Sequence, residues 1–180
     1  MEKRTVLFVD DEELVLASLR RGLLGEPYNA LFASSGKEAL KILEQNEVHV
    51  LVTDMRMPEM SGLELLKTVR EKHPHIVRMV LSGDGEVATL LGAINQGEIL
   101  RFISKPWKSN EDLMTTVRQA IEFYDLHSER ETLMRFFELW IEGVEPHSID
   151  VQFLRALVST RRKHLYEWRQ RCDSLTLKQG

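Results

Sequence analysis

Short β-branched runs alternate with amphipathic stretches from the start of this chain, and that alternation restricts its fold more than any other feature. Thr5–Val9 is apolar after its first residue and reads as a buried strand. Residues 12–24 follow as a helix, with Leu16, Leu19 and Leu23 along one face. Asn29–Ala33 is a second strand, and Ser34 or Ser35 caps a helix that buries Ala39, Leu40 and Leu43. Residues 48–53 form a third apolar strand running into Asp54. Gly62–Lys72 is helical and stops at His73-Pro74. Residues 77–81 are a fourth strand, 87–96 a fourth helix with Gly97 as its stop, and Arg101–Ser104 a short fifth strand. Lys105-Pro106 then leads into a long helix opening near Ser109 or Asn110.

Five strands alternating with helices require a parallel sheet covered on both faces, so the predicted class is α/β. Right-handed crossovers place the strand C-termini along one edge, where such sheets bind ligands. Asp10 and Asp11 follow the first strand, Asp54 the third, Ser82 the fourth and Lys105 the fifth. Four separate segments therefore deliver complementary chemistry to one place. Taken singly, each residue has a plainer reading: an Asp-Asp helix cap, a Ser-Gly turn, a surface lysine. Their co-occurrence, each at the end of its own strand, argues against those readings.

Three converging carboxylates repel one another unless a cation neutralises them, and hard oxygen ligands suit Mg²⁺, with Mn²⁺ as a substitute. The expected ligands are Asp10, Asp11, one oxygen of Asp54 and the backbone carbonyl of Arg56. The other oxygen of Asp54 is the candidate nucleophile toward phosphorus, with Lys105 stabilising the transferred group. Ser82 offers a hydroxyl to the phosphoryl oxygens once they are present.

The segments Val6-Leu7-Phe8-Val9-Asp10-Asp11-Glu12, Val52-Thr53-Asp54-Met55-Arg56-Met57-Pro58-Glu59-Met60-Ser61-Gly62, Leu81-Ser82-Gly83 and Phe102-Ile103-Ser104-Lys105-Pro106-Trp107 together resemble the receiver domains of response regulators. The resemblance covers about residues 1–125. It implies a flavodoxin-like (βα)5 fold and phosphorylation of Asp54 by a histidine kinase or phosphotransfer protein. Asp10 and Asp11 would be the acidic pair, Ser82 and Phe102 the switch residues, and Lys105 the active-site lysine before a cis proline. Arg56 and Asp84 stand where side chains influence dephosphorylation. Such a domain is a signalling phosphoacceptor rather than an enzyme acting on other molecules. The competing enzyme reading is a small-molecule phosphatase of the haloacid-dehalogenase type. Those carry an Asp-x-Asp after the first strand, whereas here the paired acids are adjacent and the lone nucleophile follows the third.

Composition narrows the setting. The net charge of -4 gives no general case for nucleic-acid binding, and the single cysteine, Cys172, excludes an intrachain disulfide. The longest apolar runs are too short to span a membrane, and the N-terminal residues lack a signal-peptide core. The expected location is the cytoplasm. Residues 126–180 are predicted to form a helical hairpin. Residues 111–141 contain no Pro or Gly, enough for about 45 Å of helix. Gly143 and Pro146 break the pattern, and Ser148 caps a last helix to about Arg171. The preferred reading is a homodimer through these helices, or docking of a downstream protein. Folding back onto the receiver, a DNA-binding output through the basic last helix, and a phosphotransfer role for His164 are the alternatives.

Overall fold

The structure, a computed structural model, describes residues 3–83, 92, 99–107 and 109–141. Nine elements run in the order β1 (Thr5–Val9), α1 (Glu13–Gly22), β2 (Asn29–Ala33), α2 (Gly36–Gln45), β3 (Val50–Asp54), α3 (Gly62–Lys72), β4 (Val77–Ser82), β5 (Arg101–Ser104) and α4 (Asn110–Ile141) among the described residues. The sheet is parallel throughout, ordered β2-β1-β3-β4-β5. This is the doubly wound arrangement predicted from the alternation. Apart from Gly92, the helix expected over 87–96 lies outside the described residues, as do its stop at Gly97, Asp84 and the second hairpin helix.

Side-chain alternation along the strands divides the core between the two faces. Leu7, Val9, Leu51 and Val80 pack with Ala39 and Leu43 of α2 and Leu65, Leu66 and Val69 of α3. Val6, Phe8, Val50, Val52, Met79 and Leu81 pack with Leu16 and Leu19 of α1 and Leu113, Val117 and Ala120 of α4. Because β3 is central and covered on both sides, all five of its residues are buried. That explains why its sequence reads as an unbroken apolar run up to Asp54.

Local chemistry sets the helix ends. Ser35, rather than Ser34, caps α2 by accepting from the Glu38 N–H at 3.2 Å, while Ser34 donates to the Glu38 carboxylate. Ser61 and Glu64 form a reciprocal capping box at the start of α3. Ser109 accepts from the Asp112 N–H at 3.1 Å as α4 opens. The α1 helix ends at Gly22, two residues before its predicted limit, and Gly25 at φ +89 turns the chain toward β2.

Backbone contacts divide the chain into two units after Leu126. In the first, Leu113, Val117, Ile121 and Tyr124 of α4 pack on the sheet as their spacing predicts. In the second, α4 continues unbroken to Ile141. No helix among the described residues is long and apolar enough to cross a membrane.

Candidate functional site

The sheet pairing brings the ends of β1, β3, β4 and β5 together. Val9 pairs with Thr53, Asp54 with Leu81, and Ser82 with Ser104. Asp54 is therefore held by the ladder itself, Asp10 directly follows β1 with its backbone N–H on the Ala33 carbonyl at 3.1 Å, and both are buried. Lys105 follows β5, and its backbone N–H donates to the Ser82 carbonyl at 2.6 Å, fastening the lysine to the adjacent strand end. The bond between Lys105 and Pro106 is cis, as expected.

The side chains meet there. Lys105 Nζ donates to Asp10 Oδ2 at 2.6 Å and also to Asp54 Oδ1. Asp10 Oδ1 accepts the Glu12 N–H at 3.0 Å, and Asp54 Oδ2 accepts the Arg56 N–H at 2.5 Å. Each of the four carboxylate oxygens thus has a donor, and one ammonium bridges two acids. Burial pushes the Asp10 carboxyl above the ordinary carboxylate value, opposed by its hydrogen bonds to Lys105 and Glu12. Burial alone would lower the Lys105 ammonium. Its hydrogen bonds and the charges of Asp10 and Asp54 outweigh that and hold it above the ordinary lysine value.

The other candidates are placed as follows. Ser82 is buried at the end of β4 and its hydroxyl donates to the Gly83 carbonyl at 3.1 Å. Asp11 is exposed, and no three-acid group spaced for a metal ion occurs among the described residues. The Arg56 side chain is exposed while its backbone holds Asp54. Phe102 on edge strand β5 is 38% exposed.

Three contributors were missed by reading side chains alone. Two are the backbone N–H groups of Glu12 and Arg56. The third is Gly62, where an added Cβ would lie 2.0 Å from the Asp54 carbonyl oxygen. The first residue of α3 therefore packs directly on the backbone of the candidate nucleophile. The Ser61-Gly62 pair carried that signal but reads equally well as a plain helix start.

The donor set suits a hard divalent cation. It is all oxygen: two carboxylates, Asp10 and Asp54, meet one lysine and leave one negative charge, while Asp11, next in sequence to Asp10, is exposed. Asp10 and Asp54 already close around a single cationic group.

Comparison with known proteins agrees with this geometry. The family model described as "Response regulator receiver domain" matches residues 6–118. The hydrogenase transcriptional regulatory protein HoxA of Bradyrhizobium diazoefficiens is 40% identical over 128 residues, 71% of this chain and 26% of that protein. The chain thus spans about a quarter of that relative's length. A solved chain of adenylate cyclase from Rhodopirellula baltica is 31% identical with a TM-score of 0.70, covering 74% of this chain and 98% of that one. The signal receiver domain of an HD domain-containing protein from Pseudomonas fluorescens is 34% identical with a TM-score of 0.65, covering 69% and 98%. With sheet order, site and family match in agreement, this chain belongs to the response regulator receiver domain family of two-component phosphorelay systems.

Proposed function

We propose that Asp54 is the phosphoryl acceptor and that this chain relays a signal from a histidine kinase or phosphotransfer protein. The observation that carries the reading is the bridge from Lys105 to both Asp10 and Asp54 at the C-terminal edge of the sheet. One Asp54 oxygen bonds to phosphorus as the nitrogen–phosphorus bond of a phosphohistidine breaks, and the departing imidazole nitrogen keeps the electron pair. Arg56 N–H holds the other oxygen in place. Lys105, charged and tied to the end of β4, compensates the charge of the transferred group. Asp10, Asp11, Asp54 and the Arg56 carbonyl would hold Mg²⁺, or Mn²⁺ in its place. When bound, the ion neutralises charge on the phosphoryl oxygens.

Ser82 is positioned to turn its hydroxyl from the Gly83 carbonyl to the phosphoryl group, and Phe102 responds on the neighbouring strand. Arg56 and Asp84 tune dephosphorylation. The output is homodimerisation through residues 126–180 or docking of a downstream protein in the cytoplasm. Leu126 and Met134, each 54% exposed on α4, support an apolar interface there.

Incubation with Mg²⁺ and acetyl phosphate, followed by intact-mass measurement, tests the acceptor. A single hydroxylamine-labile phosphoryl adduct that disappears in Asp54→Asn is the expected result. Repeated turnover without an adduct would instead favour the phosphatase reading. Light scattering with and without beryllofluoride tests the output, and a monomer in both states eliminates the homodimer.

A further inference from the structure

A second cluster lies at the opposite, N-terminal edge of the sheet, where His49 precedes β3 and is 4% exposed. Its imidazole faces a donor at each ring nitrogen. The Thr5 backbone N–H donates to Nδ1 at 3.0 Å, and Arg4 Nη1 lies 3.2 Å from Nε2. A neutral imidazole has one accepting nitrogen and one N–H, while a guanidinium only donates. Thr5 is fixed by strand pairing to Asn29, so its N–H claims Nδ1 and the ring proton belongs on Nε2. Arg4 and His49 then meet donor to donor.

Other partners hold Arg4 in that position. Its Nε pairs with Asp125 Oδ1 at 2.7 Å, and its guanidinium lies 5.3 Å from the centre of the Tyr124 ring. The same ring meets His49 edge-on at 4.9 Å. Tyr124 and Asp125 are the last residues of α4 before Leu126, where the second unit follows. Arg4, His49, Tyr124 and Asp125 therefore fasten the root of the outgoing helix to the base of the sheet.

We infer that His49 is a proton-sensitive latch at the root of α4, closed when the imidazole is neutral and opened by a second ring proton. That proton can go only on Nδ1, where it displaces the Thr5 N–H, and the resulting cation stands 3.2 Å from Arg4. The charged groups around the ring are Arg4 before β1, Glu47 on the approach to β3 and Asp125 on α4. Lys3 lines the adjoining cleft of about 420 Å³ together with Glu47 and His49. Glu47 Oε1, 3.8 Å from Nε2, and Asp125 attract an imidazolium, but neither supplies an acceptor at Nδ1. Burial first, and then the Arg4 charge, hold His49 below its ordinary value of 6.5, against the pull of Glu47 and Asp125. Because the folded value is depressed, the latch contributes fully above the unfolded value and weakens as pH falls below it.

Histidine-ring NMR on the full wild-type chain, combined with amide exchange, tests the latch. The ring should carry its proton on Nε2 at neutral pH and titrate below the ordinary histidine value. Exchange protection of the Tyr124 and Asp125 amides, corrected for intrinsic rates, should fall about tenfold between roughly pH 7.5 and pH 5.5. His49→Phe retains an aromatic edge for Tyr124 and should show no such acid response. A proton on Nδ1, an ordinary titration, unchanged protection or an equal acid response in His49→Phe would each overturn the proposal. The wild-type ring measurement decides even where the variant folds poorly.

Discussion

Gly62→Ala probes how closely α3 packs on Asp54, the proposed phosphoacceptor. The added Cβ would stand 2.0 Å from the Asp54 carbonyl oxygen, 2.9 Å from its carbonyl carbon and 3.0 Å from Met55 Cα. All three are backbone atoms, so no rotamer change relieves the overlap. Restoring ordinary contact requires a separation of about 1.4 Å between the start of α3 and the end of β3. The same movement breaks the hydrogen bond from Gly62 N to the Met55 carbonyl, now 3.0 Å. Overpacking of about 1–3 kcal/mol and a lost hydrogen bond of about 1 kcal/mol give a stability loss of about 2–4 kcal/mol. Displacing Asp54 by about 1 Å from Lys105 should also slow phosphorylation on the order of 100-fold.

Urea unfolding measures the first effect, and the initial rate of adduct formation with Mg²⁺ and acetyl phosphate measures the second. Gly36→Ala is the comparison. Its Cβ would come 2.7, 2.9 and 3.1 Å from Sδ, Cγ and Cβ of Met60, atoms of one flexible side chain rather than of the backbone, so a loss of about 1 kcal/mol, smaller than that of Gly62→Ala, and an unchanged rate are expected. Wild-type stability and rate in Gly62→Ala, or an equal defect in Gly36→Ala, would refute the reasoning.

Two further perturbations test separate parts of the site. Lys105→Met leaves the fully buried Asp10 without its cation, and should cost about 2–3 kcal/mol without metal at neutral pH, a figure reduced for the partial exposure of the lysine. Mg²⁺ should recover part of that loss in urea unfolding, and no loss at all would mean the bridge contributes little to the fold. Ser61→Ala removes the oxygen that accepts the Glu64 N–H at 3.3 Å and should lower stability by about 1 kcal/mol, read as a shift in urea midpoint with an unchanged slope.

The differences between sequence and structure are informative at particular residues. The sequence reads the third strand as running into Asp54, and the ladder includes that residue, which pairs with Leu81. The proposed nucleophile is therefore part of the sheet, and its pairing depends on a neighbouring strand. Asp10 combines two readings, since one carboxylate oxygen holds the Glu12 N–H beside α1 and the other binds Lys105. Asp11, which the sequence groups with it equally, is exposed.

By itself the sequence determined the class of sheet, the order of its elements and the edge where Asp10, Asp54, Ser82 and Lys105 gather. Those follow from periodicities of two and 3.6 residues and from the handedness of crossovers, which are local properties of the chain. Only the tertiary structure decided that one ammonium serves both Asp10 and Asp54, that Gly62 must yield its side-chain space to the Asp54 carbonyl, and that Arg4 reaches Asp125 across 121 residues of sequence. Register and close packing set those contacts, and neither leaves a periodic trace in the residues involved.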